Sequence, residues 1–167
     1  MPDVIRLIAG GLLALICCWA GVMVKRHYKE RESFYLAAKE FAGHLGSDLG
    51  FKKTPLPASI ESFLTGKKGG FHKLLNDYLI SLRSGKAKLD FDAKGTVKLK
   101  EGEKKELNDF FLDLGKTSLA DQLANIKRAE EEFEKKRSKC KEESVRLGGM
   151  YFKLLVLLGI ALIVILA

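Results

Sequence analysis

Apolar and polar positions are unevenly spread along this chain. Two apolar stretches stand near its ends, and a mixed, periodic segment lies between them. No charge occurs from Leu7 to Val24, and none from Leu154 to Ala167. A helix that crosses a bilayer needs about 20 predominantly apolar residues. The second stretch approaches that length when Met150 to Phe152 are included and Lys153 snorkels to the interface. The pattern predicts transmembrane helices over 4–24 and 150–167, with a soluble domain over 25–149 between them.

Inside that domain the spacing is helical. Phe34, Ala37, Ala38, Phe41, Leu45 and Leu49 continue the first span as a helix past the membrane. Gly43, Gly46 and Gly50 near its end fit either close approach of another helix or fraying. Thr54-Pro55 predicts a second helix, with Thr54 as cap and Pro55 at the first helical position. Leu56, Ile60, Phe63 and Leu64 form its apolar stripe, and the basic loop Gly66-Lys67-Lys68-Gly69-Gly70 ends it. From Phe71 to Arg83 the apolar residues fall on one face, and Gly85 suits the C-cap. Leu107, Phe110, Phe111 and Leu114 mark a fourth helix, closed by Gly115.

Ser118 opens the longest helix, with Asp121 placed as in a capping box. Leu119, Ile126, Phe133, Cys140 and Leu147 recur every seven residues, but the companion positions Glu130, Arg137 and Ser144 are polar. Its first turns are expected to pack in the bundle and the rest to stay solvated, laced by Glu131–Lys135, Glu132–Lys136 and Glu142–Arg146 pairs. A two-stranded coiled coil is the alternative. Gly148-Gly149 predicts a bend where this helix meets the membrane. Residues 86–100 alternate around Lys94-Gly95 and read as an extended linker, with a small hairpin second. The fold class is all-α: a small antiparallel helical bundle flanked by an N-terminal and a C-terminal transmembrane helix.

Charge sharpens the topology. All Lys and Arg except Arg6, and all Asp and Glu except Asp3, lie between Lys25 and Lys153, so that segment carries the whole net charge of +8. Lys25, Arg26, Lys29 and Arg31 follow the first span directly. The positive-inside rule places the middle domain in the cytoplasm and both termini outside. A cleaved signal peptide would want its bases before the apolar run. Cys17-Cys18 lacks the small preceding residue of a lipidation site, since Ile16 stands there. Three cysteines, with Cys140 on a charged helix, read as free thiols rather than a disulfide framework.

No catalytic constellation is visible, so no enzyme activity and no cofactor are expected. His27, His44 and His72 have no metal-ligand spacing. Gly66-Lys67-Lys68 is not a phosphate-binding loop, because Glu61 and Lys68 stand where Gly and Ser/Thr are required. Glu130, Glu131, Glu132 and Glu134 are interleaved with Lys127, Arg128, Lys135 and Lys136, the mark of a solvated charged face. The basic excess lacks interleaved aromatics for nucleic acid, and juxtamembrane bases suit anionic lipid. A membrane-tethered basic module binding nucleic acid or anionic lipid is the second functional reading. The candidate partner-binding residues are Lys67, Lys68, Lys127, Arg128, Lys135 and Lys136.

Several segments together resemble a known family. They are Thr54-Pro55-Leu56, then Leu114-Gly115 followed by Ser118 and Gln122, then a charged helix, then Leu158-Gly159 in an aliphatic tail. In this order they resemble stage III sporulation protein AB of endospore-forming bacteria over nearly the whole chain. Ser118 stands where that family commonly has Asp, and Leu154-Leu155 where it often has Leu-Gly. The resemblance implies a scaffold in a mother-cell membrane assembly that faces the forespore. It further implies a soluble domain similar to the type II secretion platform protein F. The implied partners are the assembly's cytoplasmic ATPase, stage III sporulation protein AA, and other members of that assembly.

Overall fold

The periodic segment after Val24 does continue the first apolar stretch as one helix, α1 (Pro2–Ser47). The structure is a computed structural model that describes residues 2–85, 89–91 and 97–166. The side chains at 2–10, 13, 14, 17, 18, 147, 148, 151, 152, 155, 159 and 162–166 lie outside that description. After α1 come α2 (Leu56–Leu64), α3 (Gly70–Arg83), α4 (Glu101–Asp113), α5 (Leu119–Glu143) and α6 (Gly149–Leu166). π-Helical turns occupy Asp48–Lys52 and Ser144–Gly148. Among the described residues there is no strand, and the fold is all-α. Among them, too, no helix is long and apolar enough to cross a membrane.

The chain forms two compact units, Arg31–Arg137 and the pair of segments Met1–Glu30 and Ser138–Ala167. In the first unit the core is aromatic. Phe41 of α1 is fully buried. Its ring centroid lies 5.3 Å from Phe63 of α2, 5.8 Å from Phe71 of α3 and 5.9 Å from Phe111 of α4. One side chain thus ties four helices. Leu74, Leu75, Tyr78 and Leu79 bury the predicted face of α3, and the Tyr78 hydroxyl donates to the Phe111 carbonyl at 3.3 Å.

The glycines near the end of α1 serve close approach, not fraying. A Cβ added at Gly43 would sit 3.5 Å from a Glu130 oxygen, one at Gly46 3.4 Å from Ile126, and one at Gly50 3.7 Å from Leu123. Numbers rise along α1 as they fall along α5, so the two helices pack antiparallel. Lys39 and Glu134 close the seam at 3.0 Å.

Helix ends follow local chemistry. Gly85 and Gly115 follow α3 and α4 in the left-handed region, at φ 77 and 84°. A side chain there would meet its own backbone, so glycine is preferred. Ser118 Oγ accepts the Asp121 N–H at 3.3 Å and donates to its carboxylate at 2.6 Å, so the predicted cap forms with Ser. The N-cap of α2 is a correction. Pro55 holds that position, Thr54 makes no cap bond, and its N–H goes to the Asp48 carbonyl at 3.2 Å.

The solvated-arm reading of α5 is also corrected. Phe133 and Cys140 are buried, and Phe133 meets Phe110 edge-on at 5.6 Å. The predicted Glu132–Lys136 pair gives way to Lys136–Glu106 across helices, and Lys135 instead lies 3.8 Å from Glu132. Of the linker, 89–91 and 97–100 are non-helical, with Leu89 and Leu99 buried. Residues 86–88 and 92–96, where the hairpin alternative falls, lie outside the described residues. At the predicted bend by Gly148-Gly149 the backbone makes the second π-helical turn.

Candidate docking surfaces

Two surfaces of the Arg31–Arg137 unit collect the candidate residues. The first is a basic shelf where the α2–α3 loop meets α3. Phe63 at the end of α2 supports it from below. His72, in the first turn of α3, stacks on the Phe63 ring at 5.5 Å and 8°. Lys67 folds back over the other partners: its Nζ lies 4.2 Å from the Phe63 centroid and 3.4 Å from Glu40. Of the two loop lysines, Lys67 is thus committed to neighbours, whereas Lys68 makes no ion pair among the described residues. Lys68 and Lys73 are exposed and line a depression of about 410 Å³ together with Lys67 and His72.

Burial of the His72 ring, and then the Lys67 charge, push its pKa below the ordinary 6.5. The folded chain thus holds His72 neutral where the unfolded chain would bind a proton. Stability from this group is full above pH 6.5 and declines as pH falls through that value toward the lower folded one. Chemical unfolding at pH 7.5 and at pH 5.5 should show the loss, and His72→Phe, which keeps the stacking surface, should flatten that part of the profile.

The second surface is a cleft between α4 and α5, of about 280 Å³. Phe110, Leu114, Ala129 and Phe133 give it apolar walls, and Gln122 and Arg128 reach its rim. The tight turn through Gly115 places Leu114 and Gln122, eight residues apart, on one cleft. Asp109, Asp113 and Glu132 surround the apolar walls, so this region is locally acidic on a chain of net charge +8. No single charge run gives it away. Asp109 and Asp113 stand one helical turn apart on α4, which is the signal available in the sequence.

The other candidates are scattered. Lys127 is exposed and makes no ion pair among the described residues; Lys135 leans on Glu132; Lys136 is committed to Glu106 and sits 5.9 Å above the Tyr35 ring. Thr54, Pro55 and Leu56 lie at the α1–α2 joint, away from the cleft walls. Gly159 is in α6 of the other unit, and its surroundings lie outside the described residues. Also unforeseen is Asp48, buried in the first π-helical turn. Its carboxylate accepts from Lys52 and from Ser59, each at 2.9 Å, and those two bonds hold its pKa below the usual aspartate value. Among the described residues no group of His, Cys, Asp or Glu is placed to hold a metal.

The model of the family described as stage III sporulation protein AB matches residues 6–167, nearly the whole chain. No curated protein and no solved structure matches.

Proposed function

We propose that this chain, which belongs to the stage III sporulation protein AB family, is a non-enzymatic membrane platform in a sporulation transport complex linking mother cell and forespore. In this reading residues 4–24 and 150–167 anchor it in the membrane. Residues 25–149 lie in the mother-cell cytoplasm and dock the ATPase, stage III sporulation protein AA, as a type II secretion platform protein F receives its own. The support for the anchors is the uncharged run from Leu7 to Val24 with Lys25, Arg26 and Lys29 immediately after it. Those bases also suit anionic headgroups, at about 1 kcal/mol each. Cysteines introduced at Ala167 and at Lys94 test the topology. A membrane-impermeant reagent applied from outside should label the first and miss the second, and the reverse pattern would overturn it.

The observation that carries ATPase docking is the basic shelf. Lys68 and Lys73 project, without an ion pair among the described residues, from a frame that Phe63, His72 and Lys67 hold in place. Such charges steer an acidic partner and raise its association rate more than its affinity. Lys68→Glu with Lys73→Glu should reduce capture of the ATPase by the full chain at physiological salt, with circular dichroism unchanged. Undiminished capture by the folded variant would remove the shelf from this reading.

A further inference from the structure

We propose that copies of this chain associate, with Phe51 of one copy seated in the α4–α5 cleft of the next. Phe51 is 88% exposed, the barest of the large apolar side chains described. It is not on a slack loop. The π-helical turn that presents it is pinned by Asp48, whose carboxylate takes Lys52 and Ser59 and whose carbonyl takes the backbone N–H groups of Lys53 and Thr54. Lys53 sits in the left-handed region at φ 53°, where a lysine is rarely found without outside constraint. The result is an aromatic ring held out from the surface with a lysine on each of the next two positions.

The cleft is the complement of that knob. At about 280 Å³ it falls at or below the smallest small-molecule sites, and it suits one aromatic side chain better than a ligand. Its walls include Phe110 and Phe133, already edge to face, so an entering ring finds aromatic partners. Around it, Asp109 and Asp113 make no ion pair among the described residues, whereas Glu106 is occupied by Lys136. Two carboxylates beside an apolar cleft thus face Lys53 beside a bare ring, with Lys52 next to it already serving Asp48. Buried aromatic anchors with a polar surround carry most of the energy at protein interfaces.

Knob and cleft are different residues, so the contact is either exchanged reciprocally in a two-fold dimer or runs head-to-tail into a ring or an array. The contact is independent of ATPase docking at the basic shelf, so either can fail without the other.

The test uses the full chain in detergent with Cys17, Cys18 and Cys140 changed to Ala. Copies carrying Thr54→Cys, which keeps the Phe51 ring and both lysines, are mixed with copies carrying Asn125→Cys at the cleft and oxidised. The mixture should yield disulfide-linked dimers well beyond either copy alone. Asp109→Lys with Asp113→Lys in the Asn125→Cys copy should reduce them about tenfold, and Lys53→Glu in the Thr54→Cys copy should restore part of the yield. Equal linkage without the mixture, or linkage indifferent to those charges, overturns the proposal. Phe51→Ser removes an exposed ring and spares the core, so it should also shift the chain to a smaller species in light scattering. An unchanged size for that variant overturns it equally.

Discussion

Phe41→Ala should lower the unfolding free energy by about 3–5 kcal/mol, the range for deleting a buried aromatic side chain. The top of that range is expected here. Phe41 is fully buried and touches rings from α2, α3 and α4 at once, so the surrounding helices cannot collapse onto the hole without shifting against one another. Protein interiors pack too tightly for such a shift to come free. Urea unfolding followed by far-ultraviolet circular dichroism measures the loss. Leu36→Ala supplies the contrast: that side chain is 37% exposed on the same helix, and its truncation should cost well under 1 kcal/mol. Similar losses for the two would show that the aromatic cluster is not the core.

Removing Glu103 should cost about as much by a different route. Arg31 Nη2 donates to Glu103 Oε1 at 2.5 Å, with the two side chains only 9% and 16% exposed. Removing one partner of a buried pair costs about 3–5 kcal/mol, because the remaining charge loses its short-range compensation there. Glu103 also accepts the Lys100 N–H at 2.8 Å, so Glu103→Ala further uncaps α4. Replacing both partners is different, since neither charge is then left in the interior. Arg31→Met with Glu103→Leu should therefore recover most of the loss of Glu103→Ala, and should do so at low and high salt alike. A double variant no more stable than Glu103→Ala alone would mean that the cap, not the charge pair, is what matters.

What the sequence made legible divides along physical lines. Helix α3 is readable because one face takes all its apolar residues, and Gly85 and Gly115 mark ends because only a left-handed position asks for glycine there. Helix α5 beyond Ile126 misleads because its composition is dominated by charge. What covers Phe133 is Phe110, and what holds Lys136 is Glu106; both partners lie on another helix, and local spacing cannot show them. Thr54 looks like a cap by its place before Pro55, yet the π-helical turn upstream claims its N–H. The cleft was half legible. Leu114, Gln122 and Arg128 were singled out, but its acidic surround follows from folding α4 against α5 around Gly115. Phe51 drew no notice, because nothing in a sequence says that an isolated aromatic residue will be left bare.

The glycine seam between α1 and α5 bears on how the chain is made. Gly43 must wait for Glu130, 87 residues later, before its partner helix exists. At about 5–20 residues per second that is a delay on the order of 4–17 seconds on the ribosome. Phe63 and Phe71 emerge much sooner and can cover Phe41 while the rest is still being synthesised. The face left open in the meantime is the one with Gly43, Gly46 and Gly50, which offers chaperones and neighbouring nascent chains hardly any apolar surface to seize. A stripe of leucines there would stand uncovered for that entire interval.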